Sequence, residues 1–243
     1  MSPDARLLRV EGLVKRFGGF SALDGVNFHL NAGEILGLVG PNGSGKTTCI
    51  NVITGLYPPD GGSVRFEGRS VGGLPSHRLA HLGINRTFQV PKPFLTLTVH
   101  ENIEVAIAYG RNPAGAVDAR ALLAAVDLDS SRNRRAGELN SAQQKMLDLA
   151  RALATGPRLL CVDELAAGLN PTELARVAVK LRELARTGIA LLVVEHLMGF
   201  IEEITDRVIV LNAGKEIFEG VLADAIREPQ VVEVFLGADH AAA

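Results

Sequence analysis

A glycine-rich loop with the sequence Gly40-Pro41-Asn42-Gly43-Ser44-Gly45-Lys46-Thr47 follows the apolar run 35–39 and opens a segment of helical composition. It matches the pattern Gly-x-x-x-x-Gly-Lys-Ser/Thr, in which glycines let successive backbone N–H groups point at phosphate oxygens. A chance glycine-rich turn would rarely fall between a strand and a helix, so a phosphate-binding loop is the better interpretation. The pattern predicts nucleotide contacts from Asn42, Gly43, Ser44, Gly45, Lys46, Thr47 and Thr48. We expect Lys46 to contact the β and γ phosphates, and the Thr47 hydroxyl to bind Mg²⁺.

Two adjacent carboxylates, Asp163 and Glu164, follow the apolar run 159–162. Beside a phosphate-binding loop, a carboxylate at the end of a buried strand indicates a second Mg²⁺ anchor, so we assign that role to Asp163. Glu164 is then placed to polarise an attacking water as general base. Adjacent acids after a strand are also common as ordinary helix-start residues, and that alternative would be preferred without the loop.

The composition narrows the class of protein. Of 243 residues, 47% are hydrophobic, which favours a chain with a sizeable buried core over a disordered one. The 25 Lys and Arg residues nearly balance the 27 Asp and Glu residues, which argues against a broad nucleic-acid surface or a polybasic membrane tether. No apolar run reaches the roughly 18–20 residues that span a bilayer, and no signal peptide is evident, so we expect a cytoplasmic chain. Cys49 and Cys161 lie among apolar residues and are expected to be inert core thiols.

The periodicity predicts an α/β chain with a helical insertion. Strand-like segments are expected at 7–17, 22–30, 35–39, 64–66, 159–162, 189–194 and 207–211. Helices are expected at 99–109, 116–126, 142–154, 171–185 and 197–204. Strands that alternate with helices imply a parallel sheet covered by helices on both faces.

With these motifs in this order, the chain resembles an ABC ATPase over nearly its whole length. Phe17 resembles the aromatic side chain that stacks on adenine in that family, and a strand-end core residue is the alternative. Gln89 resembles the glutamine that senses Mg²⁺ and the γ-phosphate, and His196 the histidine that contacts the γ-phosphate. Residues 167–171 resemble the dimer-contact loop, with Asn170 in place of the usual aspartate.

The resemblance implies one ABC ATPase domain over 1–243. Its P-loop NTPase (RecA-like) α/β core would comprise 1–90 and 156–243, with an N-terminal antiparallel β-subdomain. An α-helical subdomain would be inserted at 91–155. ATP and Mg²⁺ would be the cofactors, and the catalytic residues would be Lys46, Gln89, Glu164 and His196. Mg²⁺ would be bound by Thr47, Gln89 and Asp163.

The signature that caps a partner's γ-phosphate in this family, Leu-Ser-Gly-Gly-Gln, is altered here. The matching stretch is Leu139-Asn140-Ser141-Ala142-Gln143. Asn140 can still donate through its amide, but the side chains of Ser141 and Ala142 could hold a phosphate further away. We hypothesise that the nucleotide site capped by Asn140, Ser141, Ala142 and Gln143 is slower than the site built on this chain's own loop.

The sequence is similar to those of the ATP-binding subunits of branched-chain amino acid importers. Two of the similar stretches are Lys15-Arg-Phe-Gly-Gly-Phe-Ser-Ala-Leu-Asp24 and Asn85-Arg-Thr-Phe-Gln89. Resemblance to this branch implies that the chain lies at the cytoplasmic face of the membrane and binds two permease subunits. It would also form a homo- or heterodimer with a second ATP-binding subunit. A solute-binding protein would be an indirect partner, without direct contact. The loop 89–94 would grip the permease. Alternatives are a urea or amide importer, and a catalytically weak partner that holds ATP.

Two rival classes are disfavoured. A nucleic-acid-associated ABC ATPase would carry paired cassettes or a coiled-coil insertion, and neither is evident, so no nucleic acid is expected as a partner. A P-loop kinase or GTPase would leave Gln89 and His196 unexplained, and the guanine motif Asn-Lys-x-Asp is absent from the sequence.

Overall fold

The computed structural model describes residues 6–111 and 117–240. Its strands are β1 (Arg6–Phe17), β2 (Phe20–Asn31), β3 (Ile35–Val39), β4 (Gly61–Phe66), β5 (Arg69–Ser70), β6 (Ile84–Arg86), β7 (Leu159–Asp163), β8 (Ala190–Val194), β9 (Arg207–Asn212) and β10 (Lys215–Gly220). Its helices are α1 (Lys46–Ile53), α2 (Ser76–Leu82), α3 (Val99–Tyr109), α4 (Ala119–Ala125), α5 (Ser141–Ala154), α6 (Pro171–Arg186), α7 (Met198–Ile204), α8 (Leu222–Ala225) and α9 (Pro229–His240).

The described strands form two sheets. One is antiparallel, in the order β2-β1-β4-β5, and its longest pairing is the hairpin of β1 with β2. The other has the order β10-β9-β3-β8-β7-β6 and is parallel except for β10, which pairs antiparallel with β9. The predicted α/β class, with an N-terminal antiparallel sheet and a parallel core sheet, is therefore confirmed.

The parallel sheet is buried on both faces, which explains its unbroken apolar strands. Every residue of β3, β7 and β8 is buried. Along β7, Leu159 and Cys161 pack with β1, β2, β4 and α1, whereas Leu160 and Val162 pack with helices of the opposite face. One face is thus covered largely by the antiparallel sheet and α1, where the sequence predicted helices on both faces.

Capping boxes define the starts of three long helices. At α3, the Thr98 side chain accepts from the backbone N–H of Glu101 while the Glu101 carboxylate accepts from that of Thr98. Asn140 with Gln143 caps α5 in the same way, and Asn170 with Glu173 caps α6, which has Pro171 in its first turn. The side chain at each N-cap satisfies backbone donors that the helix leaves unpaired.

Most predicted elements lie within two residues of the observed ones. The helix expected at 116–126 is observed as Ala119–Ala125, and residue 116 lies outside the described residues. Elements that were not predicted include α2, β5, β6, β10, α8 and α9. Cys49 on α1 and Cys161 on β7 are fully buried free thiols, as expected. The subdomain boundaries at 91 and 155 stay a prediction.

An arginine at the start of β9 links the two sheets. Arg207 Nε lies 2.5 Å from Oε1 of Glu34, and its Nη2 donates at 2.5 Å to the carbonyl oxygen of His29 on β2. Nη1 also pairs with Glu219 on β10. The side chains of Arg207 and Glu34 are only 17% and 12% exposed, so this pairing is shielded from solvent.

Replacing Arg207 with Ala should lower the free energy of unfolding by about 2–4 kcal/mol, because the half-buried Glu34 carboxylate would lose its charged donor. Arg120→Ala is the matched control, since Arg120 is 64% exposed and pairs with Asp129 only at 3.6 Å. That change should cost less than about 1 kcal/mol. Urea unfolding measures both. Equal stabilities for the two variants would contradict the proposed link.

Candidate active site

The glycine-rich loop lies between β3 and α1, and two of its glycines are required by close backbone contacts. Gly40 has φ 147° and Gly45 has φ 109°. A Cβ at Gly40 would lie 2.1 Å from the carbonyl oxygen of Leu211, and one at Gly45 would lie 2.6 Å from that of Ala22. Contacts this short exclude any side chain, so the loop can curl only with glycine at these positions.

The ammonium of Lys46 lies inside the loop. Its Nζ donates to the carbonyl oxygens of Gly40 at 2.7 Å and Pro41 at 2.9 Å. Burial lowers the pKa of Lys46, while the carboxylates of Glu164 and Asp163 act in the opposite direction. A positive charge is thus held next to both acids at the N-terminus of α1.

Asp163 ends β7 and is almost fully buried. Its Oδ2 lies 3.3 Å from Nη2 of Arg86, whereas its Oδ1 has no hydrogen-bond partner among the residues that the structure describes. Burial raises the pKa of Asp163, and the Arg86 guanidinium opposes that shift. The same kind of unsatisfied atom occurs at Ser44, whose Oγ is buried in the loop. Unsatisfied buried oxygens call for a ligand, an ion or water.

Glu164 contacts two residues, Gln89 and His196, that were predicted from separate motifs. Its Oε1 lies 2.7 Å from Nε2 of His196, and its Oε2 accepts from Nε2 of Gln89 at 2.5 Å. The backbone of Glu164 is in the left-handed region, with φ 50°. Such a conformation is uncommon for a residue with a side chain, and it often marks a functional site.

Lys46, Glu164 and His196 line a cleft of about 270 Å³, whereas Gln89 and Asp163 are not among its lining residues. Its lining is Phe17, Phe20, Ala22, Asn42, Gly43, Ser44, Gly45, Lys46, Thr47, Thr48, Glu164 and His196. Sequence reasoning missed Phe20 and Ala22. The two-residue turn between β1 and β2 pairs Phe17 directly with Phe20, so both rings project from the same face of the hairpin. The Phe17 ring also contacts Tyr57 edge-on, at a centroid distance of 5.2 Å.

The altered signature is not part of this cleft. Asn140, Ala142 and Gln143 line a separate cleft of about 210 Å³, together with residues of α6. The Asn140 oxygen accepts from the backbone N–H of Gln143 at 2.8 Å, which is the cap of α5. Within one chain, the predicted signature contacts and the phosphate-binding loop therefore do not meet.

Metal binding by protein side chains alone is not indicated within the described ranges. Residues 6–111 and 117–240 contain no group of three or more His, Cys, Asp or Glu side chains that could hold an ion. None of the helices in these ranges combines the length and hydropathy that a membrane-crossing helix needs.

Comparison with known proteins places the chain in a family. Residues 23–167 match the ABC transporter family. The chain is 37% identical to the high-affinity branched-chain amino acid transport ATP-binding protein BraF of Pseudomonas aeruginosa, over 95% of this chain and 98% of that protein. It is 38% identical to the probable branched-chain amino acid transport ATP-binding protein LivG of Archaeoglobus fulgidus, over 96% of each chain.

Solved structures agree with the sequence matches. The ADP conformation of an ATP-binding cassette of an ABC transporter superposes with a TM-score of 0.86 at 34% identity, covering 96% of this chain and 99% of that one. A dimeric post-hydrolysis cassette bound to ADP and Pi superposes with a TM-score of 0.79 at 26% identity, covering 88% and 98%. The chain therefore belongs to the ABC transporter family, as an ATP-binding cassette whose hydrolysis of ATP is coupled to transport.

Proposed function

We propose that the chain powers the import of branched-chain or other hydrophobic amino acids at the cytoplasmic face of a membrane. It would bind two permease subunits and a second ATP-binding subunit, and would meet a solute-binding protein only indirectly. The contacts of Glu164 with Gln89 and His196, beside a cleft that Glu164, His196 and Lys46 line, carry the proposal for the catalytic part. The amino acid as solute is supported by the names of relatives that align over nearly the whole chain.

In the proposed complex, the aromatic pair at the hairpin holds the base and the loop holds the phosphates. Phe17 and Phe20 are 43% and 62% exposed beside the cleft, so aromatic surface is available for stacking on an adenine. The N–H groups at the start of α1 and the ammonium of Lys46 would bind the β and γ phosphates. Lys46 would then exchange its bonds to Gly40 and Pro41 for phosphate oxygens.

The residues around the cleft fit a Mg²⁺ ion bound together with nucleotide. Mg²⁺ prefers oxygen ligands and is usually held by one or two carboxylates or hydroxyls plus substrate phosphates. The unsatisfied Oδ1 of Asp163 suits this set, as do the hydroxyl of Thr47 and the amide oxygen of Gln89. When bound, the ion would neutralise charge on the phosphates.

Glu164 would act as the general base. An ionised carboxylate has about four acceptor sites, and Gln89 and His196 each occupy one of those on Glu164, so the remaining sites can accept from an attacking water. Gln89 and His196 can each donate to phosphate oxygens as well, so a bound nucleotide would offer both residues a second partner.

Replacing Glu164 with Gln should lower ATP turnover by about a hundredfold or more, because a general base contributes about 10²–10⁴ to a rate. ATP binding should be retained, since the loop and Phe17 are untouched. Steady-state hydrolysis and equilibrium binding of Mg-ATP to the purified chain measure the two effects. Glu202→Gln, an exposed glutamate on α7, is the matched control.

Three outcomes of that experiment are informative. Turnover lost only in the Glu164 variant supports the assignment and shows that two copies can build a working site. ATP binding without turnover in the unmodified chain favours the alternative, a weak subunit that needs a different partner. Full activity in the Glu164 variant would refute the base assignment.

The altered signature stretch supports the hypothesis that, in a dimer of cassettes, the nucleotide site capped by this chain hydrolyses ATP more slowly than the site built on its own phosphate-binding loop. Asn140 already uses its side-chain oxygen to cap α5, which leaves its amide nitrogen as a donor to a partner's nucleotide. The exposed side chain of Ser141 and the methyl group of Ala142 stand where the family has glycine. A bound phosphate would be kept further from the helix N-terminus, where favourable interaction falls off quickly.

Restoring the family signature with Asn140→Ser, Ser141→Gly and Ala142→Gly should raise ATP turnover. Serine is as good an N-cap as asparagine, but two glycines in the first turn should cost about 1–2 kcal/mol of helix stability. Turnover is measured at a temperature where circular dichroism shows the variant fully folded. Asn140→Ser alone serves as the control. A folded triple variant with unchanged or lower turnover would count against unequal sites.

An apolar patch beside the catalytic glutamine is proposed as the permease contact. Its side chains are Phe88, Val90, Phe94 and Leu95, which are 40–70% exposed. Two hydrogen bonds hold the backbone of this loop in place. Asp148 Oδ2 accepts from the N–H of Phe88 at 2.9 Å, and Asn102 Oδ1 accepts from the N–H of Phe94 at 2.9 Å. A fixed apolar surface of this kind suits a protein contact.

Changing Phe94 to Asp should abolish transport while leaving ATP hydrolysis by the purified chain within about twofold, since a charge would be buried at the contact. Uptake of labelled leucine and of labelled urea by cells with the complete transporter measures the effect and separates the two solute candidates. Tyr109→Asp is the control, because Tyr109 is 79% exposed on α3 outside this patch. Normal uptake in the Phe94 variant would show that the patch is not the docking surface.

A further inference from the structure

Lys145 on α5 is buried and holds the loop that follows the acid pair. Its side chain is 7% exposed. Its Nζ donates to the carbonyl oxygens of Glu164 at 3.0 Å, Leu165 at 3.2 Å and Ala167 at 2.5 Å. These residues form the segment 164–167, which we call the base loop because Glu164 begins it.

The three contacts require the charged form of the lysine. An ammonium has three N–H donors and no acceptor, which matches three carbonyl acceptors, whereas a neutral amine would supply only two donors. Burial lowers the pKa of Lys145, and the carboxylates of Glu195 and Glu164 favour the charged form. The charge of Lys145 therefore has a structural role, because an apolar side chain could not donate these three hydrogen bonds.

The base loop is also held from its other side. Oε1 of Glu195, which is 3% exposed at the end of β8, accepts from the N–H of Ala166 at 2.7 Å. The N–H of Glu164 donates at 2.9 Å to the carbonyl oxygen of Val194. Each of the four residues of the loop is thus bonded through its backbone either to Lys145 or to the end of β8.

This bonding fixes a backbone that is unfavourable by itself. Glu164 has φ 50°, and the left-handed conformation is unfavourable for a residue with a side chain. It persists only where the surroundings over-determine it. The same conformation aims the Glu164 carboxylate at His196 and Gln89, so its loss would move the carboxylate away from the cleft.

The helix that carries Lys145 also carries the signature. Asn140 caps α5, and Lys145 follows it by five residues, little more than one helical turn. A hydrogen-bonded turn of helix transmits displacement as a rigid unit. The signature stretch and the base loop are therefore joined inside one chain, although they line different clefts.

We propose that Lys145 is a positioning residue that holds Glu164 in its catalytic orientation and ties it to the signature stretch of the same chain. This inference rests on the proposed role of Glu164 as general base. A contact made at 140–143 by a second subunit's nucleotide would then act on the carboxylate of this chain's own site. Lys145 itself does not touch nucleotide or water in this role.

The test compares Lys145→Met, which keeps the length of the side chain and removes its charge, with Lys145→Arg, which keeps a cation. Lys215→Met is the matched control, because Lys215 on β10 is 64% exposed, pairs with Asp24 at 3.2 Å and lines neither cleft. Hydrogen exchange of the amides of Glu164 and Ala166 is followed in the nucleotide-free chain. ATP affinity, kcat and KM are then measured for each variant.

Lys145→Met should speed exchange of these two amides by about tenfold or more, since hydrogen bonds from a charged group are lost. Amides of β3 and α1 should be unchanged. ATP affinity and KM should stay within about threefold while kcat falls by about tenfold or more, because only the base is displaced. Lys145→Arg should recover most of both effects, and Lys215→Met should match the unmodified chain.

Three results would overturn the proposal: unchanged exchange in the base loop of Lys145→Met, faster exchange throughout the core, or an Arg variant no better than the Met variant. The exchange measurement needs no turnover, so it decides the inference even if the chain alone is inactive. Failure of the unmodified chain to bind ATP would instead refute the proposed function, and the two failures are distinguishable.

Discussion

Burial of the parallel sheet on both faces is the constraint on which the site depends. Because β3, β7 and β8 contain only buried residues, their polar neighbours must lie beyond the strand ends. Leu38 pairs with Val194 and Val194 with Asp163, so the three carboxyl ends lie at one edge. The phosphate-binding loop, the acid pair and His196 each follow one of these ends, and they meet because the strands are parallel.

Charges gathered at this edge are paired, as buried charges must be. The Asp163 carboxylate faces the Arg86 guanidinium, and Lys46 and Lys145 donate to backbone carbonyls. Burial raises the pKa of Glu195 while backbone N–H groups of Ala166 and His196 oppose that shift. The edge is thus held by hydrogen bonds and an ion pair beside a largely apolar core, and each bond restricts a segment that the proposed reaction uses.

Much of this arrangement could be predicted from local sequence. The loop at 40–47 is the specific signal, and beside it the acids after 159–162 and His196 after its apolar run gain a functional interpretation. Elements that were missed lack such a signal: β6 has three residues, and β10 has only two apolar residues, Ile217 and Phe218, between charged ones. Phe20 could have been found from the two-residue turn that pairs it with Phe17. Lys145 could not have been found in this way, because a lysine near the polar start of a helix is expected to be exposed. Only tertiary contacts reveal its carbonyl partners.

Burial of the two core thiols affects how the protein can be labelled chemically. Burial raises the pKa of Cys161 to about 12, and the pKa of Cys49 is raised as well. At neutral pH, a thiol with such a pKa is deprotonated in roughly one molecule in 10⁵, and the thiolate is the reactive form. Alkylating reagents and mild oxidants should therefore not react with either native cysteine. A cysteine introduced at the surface can carry a spectroscopic probe without first removing either one.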